Sequence, residues 1–261
     1  MHKIVLYCKS YKNDLERVVK LRNSIAKHNK DNIPFYISVP HHDVDLFKST
    51  LIDGFVDIIP DSNIDENCEG WLGQQIVKSQ FWKLGLCENY LCLDSDSEFI
   101  CDFYISDFMF DEDTPYTICH EHRELFEWAD KSDLSFDPYQ SYLKDRHTIK
   151  NLFRNSTQVT HDFGPSPVIW SAKVWESLHD NYIKPSGLTF TQLIQYVGSE
   201  FTWYGEWLLR SKVIPLIPRG PLFKVYHYHG QWLDDHRNGI TLDQLQKYYM
   251  GVIFQSNWSN R

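Results

Sequence analysis

Apolar and polar positions fall in blocks along the first hundred residues, and the blocks switch between two periods. Lys3–Tyr7 is an almost unbroken apolar run and reads as a strand, Asp14–Lys27 places Leu15, Val18, Val19 and Ile25 near one helical face, and Pro34–Val39 reads as the next strand. That is a βαβ unit. Asp43 can cap a short helix through Leu51, Val56–Ile59 resembles a third strand, and Gln74–Leu84 forms a helix that delivers the chain into Tyr90–Leu93. Alternation of this kind predicts an α/β fold with a central mixed, mostly parallel sheet flanked by helices. Further on, Tyr116–Cys119 reads as a strand, the stretch from Asp130 to Gln140 is polar and poorly periodic, and Leu143–Phe153 reads as a helix. Gly164, Pro165 and Pro167 force an irregular approach to a short strand ending at Trp170, and Ser171 can cap a helix over Ala172–His179. A helix from Glu200 to Arg210, strands near Val213–Leu216 and Leu222–His227, and an amphipathic helix over Leu242–Val252 complete the pattern. No repeat, low-complexity tract or linker interrupts it, so 1–261 reads as a single domain.

With 261 residues and 42% hydrophobic content the chain can bury a full core. No apolar run approaches the roughly 18 residues that span a bilayer, and Ile4–Cys8 is cut short by Lys9, too brief for a secretory segment. A cytoplasmic location is the expectation. The six cysteines contain no CxxC pair, which favours buried reduced thiols over disulfides or a zinc site. A net charge of −9 excludes a general nucleic-acid surface, which needs clustered Lys and Arg. Aromatic residues make up 15%, with nine Trp, and several stand beside polar groups, as in Gly70-Trp71, Thr202-Trp203-Tyr204 and Gly230-Gln231-Trp232. Such faces suit sugars and bases, and equally they fill cores.

The candidate chemistry centres on Leu91-Cys92-Leu93-Asp94-Ser95-Asp96-Ser97-Glu98. If strand alternation continues through it, Asp94 and Asp96 project to one side with Cα atoms about 6.5–7 Å apart and can share one cation. Hard carboxylate oxygens suit Mg²⁺ or Mn²⁺, completed by water and substrate phosphates. The same residue types also serve as ordinary turn and cap residues after a strand. Ligands of open α/β sheets gather beyond the carboxyl ends of the strands, which is where this pair falls.

Several segments, in this order, carry a resemblance: Leu6-Tyr7-Cys8-Lys9-Ser10-Tyr11 with Asp14; Gly70–Lys78; Leu93-Asp94-Ser95-Asp96; Gly164–Trp170; Glu200–Trp207; and Val225-Tyr226-His227-Tyr228-His229. Together they resemble the GT-A superfamily of nucleotide-sugar glycosyltransferases, bacterial enzymes of surface-polysaccharide assembly in particular. The resemblance implies a GT-A-like domain with a nucleotide-binding half over 1–110 and an acceptor-binding, catalytic half over 111–261. It implies Mn²⁺ or Mg²⁺ on Asp94 and Asp96, bridging the two phosphates of a donor, with UDP the family-level expectation. Ser10, Tyr11 and Asp43 become candidate nucleotide contacts, and Asp43 doubles as a helix cap. Gln75 and Lys78 lie close to the strand bearing Asp94, with Lys78 either touching phosphate or solvated. His227 and His229 match a late metal-ligating histidine; by period two they share one strand face, and His229, next to Gly230, is preferred. The implied partners are a nucleotide-sugar donor and a glycan or lipid-linked glycan acceptor, with peripheral association with the inner membrane or pathway enzymes.

Transfer of this kind usually needs a carboxylate near the acceptor hydroxyl. Glu200, at a helix start before Phe201–Gly205, is the leading candidate, and its charge also suits a first helical turn for stability alone. Asp162, before the Gly164-Pro165 turn, is the second, and Glu206 is less suited because it lies inside the helix. His120-Glu121-His122 has the look of a metal pair, yet no further spacing supports zinc, and it reads as a cleft edge or plain surface. Two other functions use the same residues. A haloacid-dehalogenase-like phosphatase also places Asp-x-Asp after a strand, but normally after the first strand. A non-catalytic carbohydrate-binding protein accounts for the aromatic residues and leaves the aspartates idle.

Overall fold

Strand β1 (His2–Lys9) is buried from Ile4 onward, as expected of a central strand covered on both faces. The structure, a computed structural model, describes residues 1–52, 54–66, 70–132, 134, 137–155, 159–256 and 258. After β1 come α1 (Leu15–His28), β2 (Phe35–Val39), α2 (Val44–Thr50), β3 (Val56–Pro60), α3 (Gly70–Gln80) and β4 (Cys87–Leu93). The four strands run parallel in the order β3-β2-β1-β4, with Leu6 of β1 level with Phe35 of β2 and Leu91 of β4. Parallel pairing requires crossovers, and the amphipathic helices supply them: α1 buries Val18, Leu21 and Ile25. The sheet is the mixed, mostly parallel one expected from the sequence.

The second half adds β5 (Ser97–Phe99), β6 (Tyr116–Ile118), α4 (Arg123–Asp130), α5 (Pro138–Leu152), β7 (Val168–Ser171), α6 (Ala172–Leu178), α7 (Phe190–Tyr196) and α8 (Glu200–Ser211). It ends with β8 (Ile217–Arg219), β9 (Phe223–Tyr226), α9 (His229–Arg237), α10 (Leu242–Leu245) and β10 (Gly251–Phe254). Strand β7 closes the main sheet antiparallel to β4, and β5-β10-β9 form a smaller sheet beside it. The core is strongly aromatic. Tyr7 stacks on Phe81 at 3.9 Å between ring centroids, and Trp170, Trp175 and Trp203 are all fully buried. Burying a side chain such as Phe81 contributes about 1.5–3 kcal/mol, so much of the aromatic content is structural. Trp71 is an exception, being 64% exposed. The described cysteines are free thiols, and Cys68 lies outside the described residues.

Two predicted elements are misplaced in the sequence reading, and β5, α4, α7 and α9 are absent from it. The predicted strand Val213–Leu216 is displaced to β8, which pairs with β6, while Val213 is solvent-exposed. The predicted helix Leu242–Val252 stops after α10, and its last residues form β10. A Cβ at Gly251 would fall 2.3 Å from Phe223, so only glycine admits the close pairing of β10 with β9. The polar stretch around Asp130–Gln140 lies partly outside the described residues, and α5 begins at Pro138, capped by the Asp137 carboxylate. No described helix is long and apolar enough to cross a membrane.

Candidate active site

The chain leaves β4 at Leu93 and turns at once: the Ser97 amide donates to the Asp94 carbonyl at 3.1 Å. Asp94 and Asp96 are therefore presented by a turn rather than by a continuing strand, and the period-two argument does not apply to them. The Asp94 amide donates to Ser166 Oγ at 3.1 Å, tying the turn to the approach of β7, and the Asp94 carboxylate is paired with the Lys78 ammonium from α3. Asp96 accepts from the Ser256 amide through Oδ2 at 3.0 Å, while Oδ1 is buried with no hydrogen-bond partner. Burial, and then the charge of Asp94, push the Asp96 carboxyl up to about 7. Asp96, with its orphaned oxygen beside a second carboxylate, offers the chemistry of a hard-ion ligand, but it lines a separate cavity with Arg17 and Lys20, whereas Asp94 faces Lys78.

A cavity of about 410 Å³ opens beyond this turn, lined among others by Gln75, Lys78, Asp94, Asp162, Glu200 and His227. These come from α3, the β4 turn, the approach to β7, the start of α8 and the loop after β9, segments far apart in sequence. Gln75 Oε1 is buried without a partner. Glu200 is buried at the first position of α8, and burial pushes its carboxyl up to about 7 against the opposing pull of Lys78. Asp162 behaves differently. Burial would raise it, but Arg146 and His122 hold it below the usual carboxylate range, and its Oδ1 accepts from Arg146 at 2.6 Å and from the Gly164 amide at 3.0 Å. A carboxylate so occupied is a poor proton acceptor.

The late histidines separate. Strand β9 ends at Tyr226, so His227 and His229 do not share a strand face, contrary to the sequence reading. His227 lines the cavity with Nε2 buried and unpartnered, and burial lowers its imidazole to about 4. His229 opens α9, is exposed, and stacks on Trp232 and Trp258 at 5.5 and 5.2 Å. Ser10, Tyr11 and Asp43 sit at the carboxyl ends of β1 and β2, outside the lining of this cavity. Ser10 Oγ is buried without a partner, Tyr11 is 43% exposed, and Asp43 gives α2 no side-chain cap, accepting instead from the Lys12 amide at 2.9 Å.

A family model matches residues 3–234. The chain belongs to DUF6492, a family of unknown function. Among solved structures, the DUF6492 chain is similar to the crystal structure of mouse xyloside xylosyltransferase 1 in its apo form, with 10% identity, 99% of this chain and 100% of that chain covered, and a TM-score of 0.48. At that score the likeness assigns no activity. No curated protein matches the sequence.

The DUF6492 chain carries further cleft residues that sequence reasoning missed. Arg146, Tyr142 and Asp145 reach the cavity from α5, beside Trp71 and Gln74 of α3, which lie in the segment Gly70–Lys78 already singled out in the sequence. Nothing local distinguishes Arg146 from a surface arginine, since its partner Asp162 lies on another element. A second cavity of about 540 Å³ adjoins the first across His122, Pro165 and His227. Trp128 lines it, donating Nε1 to Asp234 at 2.9 Å.

Proposed function

We propose that this protein is a glycosyltransferase that moves a sugar from a nucleotide-diphosphate donor to a hydroxyl of a glycan or lipid-linked glycan acceptor, with Mn²⁺ or Mg²⁺ held by Asp94 and Asp96. One observation carries the reading: Gln75, Lys78, Asp94, Glu200 and His227 line one cavity at the carboxyl end of β4. When bound, the ion supplies positive charge to the departing diphosphate. Lys78 adds a second positive charge at the same corner, and its pairing with Asp94 fixes its position. The unpartnered Gln75 Oε1 offers an acceptor for a sugar hydroxyl. Glu200 takes the proton of the attacking hydroxyl as the new C–O bond forms and the sugar–phosphate bond breaks, the electron pair leaving with the nucleoside diphosphate. A carboxyl poised at about 7 suits that role.

Ser10, Tyr11 and Asp43 are the proposed nucleotide contacts, at the ends of β1 and β2. UDP as the nucleotide, polysaccharide assembly as the setting, and a cytoplasmic site of action beside a membrane or pathway enzymes rest on the sequence resemblance alone. The phosphatase alternative needs Asp94 as a nucleophile, and its place after the fourth strand rather than the first speaks against that. Isothermal titration with UDP, with and without Mn²⁺, tests the reading, followed by hydrolysis of a panel of nucleotide sugars. Metal-dependent nucleotide binding and donor turnover are expected. Absence of both across the panel overturns it.

A further inference from the structure

His120 and His122 flank Glu121 just after β6, and in the sequence no third ligand accompanies them. The fold supplies one. His120 and Asp162 pair across an isolated antiparallel bridge, the His120 amide donating to the Asp162 carbonyl at 3.0 Å and the Asp162 amide to the His120 carbonyl at 2.7 Å. Potential ligand atoms of His120, His122 and Asp162 all lie within 4.8 Å of one another.

The orientation of each group suits ligation. His120 donates Nε2–H to the Gly164 carbonyl at 2.6 Å, the bond that leaves Nδ1 basic, and the Nδ1 lone pair accepts from the His122 amide at 3.1 Å, a contact that a bound ion would replace. His122 adopts a left-handed backbone with φ +58°, uncommon for a residue with a side chain, and its Nε2 stands 3.2 Å from Asp162 Oδ2. That Nε2 is buried with no hydrogen-bond partner. Arg146 and the Gly164 amide hold Asp162 by Oδ1, leaving Oδ2 to face the imidazoles.

We propose that His120 Nδ1, His122 Nε2 and Asp162 Oδ2 form a binding site for a divalent transition-metal ion of the zinc type, separate from the carboxylate corner at Asp94 and Asp96. Two imidazoles and one carboxylate select Zn²⁺ or Co²⁺ over Mg²⁺. Three protein ligands leave a further coordination position open, and His122 stands in the wall common to both cavities. The site does not depend on the donor reading, because its test reads metal content and spectrum rather than transfer.

Protein stripped with a chelator and desalted is titrated with Zn²⁺, and in parallel with Co²⁺ as a spectroscopic substitute. Retention of about one equivalent of Zn²⁺, and a visible Co²⁺ absorption that Zn²⁺ abolishes, are expected. His120→Ala and His122→Ala weaken Zn²⁺ binding on the order of 100-fold, whereas Asp96→Ala leaves it unchanged. X-ray absorption of the zinc-loaded wild type, which needs no variant to fold, shows both imidazoles around the ion. No retained zinc, zinc retained by His122→Ala but lost by Asp96→Ala, or a zinc shell without paired imidazoles overturns the proposal.

Discussion

Lys78 and Asp94 form an ion pair at the floor of the cleft, the ammonium side chain 3% exposed and the carboxylate 27%. Burial would lower the lysine, but Asp94, Cys92 and Glu200 outweigh it and hold Lys78 far above the range in which it could lose its proton. It is therefore a permanent cation. Lys78→Met leaves Asp94 without its partner and Glu200 without its nearest positive charge. Because Asp94 is partly solvated, the loss of stability is expected to be about 2–3 kcal/mol, below the range for a fully buried pair. Chemical denaturation measures it, and nucleotide titration should show weaker binding even in saturating Mn²⁺.

Glu200 makes a prediction of definite sign. Its carboxyl stands at about 7 in the fold against an ordinary 4.5, so between those values the native state keeps a proton that the unfolded chain has lost. Stability therefore declines as pH rises through that window, with a full penalty of roughly 3 kcal/mol above it. Glu200→Gln should match the wild type at the acidic end and exceed it in thermal stability above about pH 7. Lys78 and Asp94 act on Glu200 directly, and Asp145, Arg146 and Asp162 line the same cavity, so turnover limited by this base should fall off on the acid side of about 7 and lose that limb in the variant. A wild-type pH profile in Glu200→Gln would count against its role.

His227 and His229 are two residues apart and differ in surroundings. His227→Ala removes the unpartnered nitrogen that lines the cavity and is expected to weaken nucleotide binding about 10-fold, the cost of roughly one hydrogen bond. His229→Ala removes a ring from an exposed stack and should leave that affinity unchanged. Titration of both variants decides between them.

Gly205 allows α8 to lie directly on Phe163: a Cβ there would fall 1.9 Å from the ring. Gly205→Ala should cost at least about 1–3 kcal/mol through overpacking. Because Phe163 sits between Asp162 and Gly164, the displaced ring should also disturb the cleft, read as weaker nucleotide binding alongside a lower melting temperature.

The parallel half of the fold was legible because each strand from β1 to β4 is a short apolar run and the helices between them carry one apolar stripe. Legibility failed where tertiary contacts overrule local pattern. Leu242–Val252 has helical spacing, yet Gly251 and the buried Val252 and Ile253 complete a sheet whose other strands lie far away in the chain. Thr189 and Thr241 each close a capping box three residues on, a signal readable in the sequence that would have placed the start of α7 and that marks the start of α10 but not its end. Within the cleft, Gln75, Lys78, Asp94, Glu200 and His227 could be named in advance because each stands at the end of a patterned element or within one. The partnership of His120 with Asp162 could not, since it depends on a bridge between segments more than forty residues apart.

The amide of Ser256 occupies one oxygen of Asp96, and Trp258 donates Nε1 to the Tyr226 carbonyl. Ser256 is thus a latch on the Asp96 carboxylate. Proteolytic trimming just after Phe254 would spare β10 yet leave Asp96 with a freed lone pair, altering how firmly this corner grips a cation without touching any residue of the cavity wall upstream of the cut.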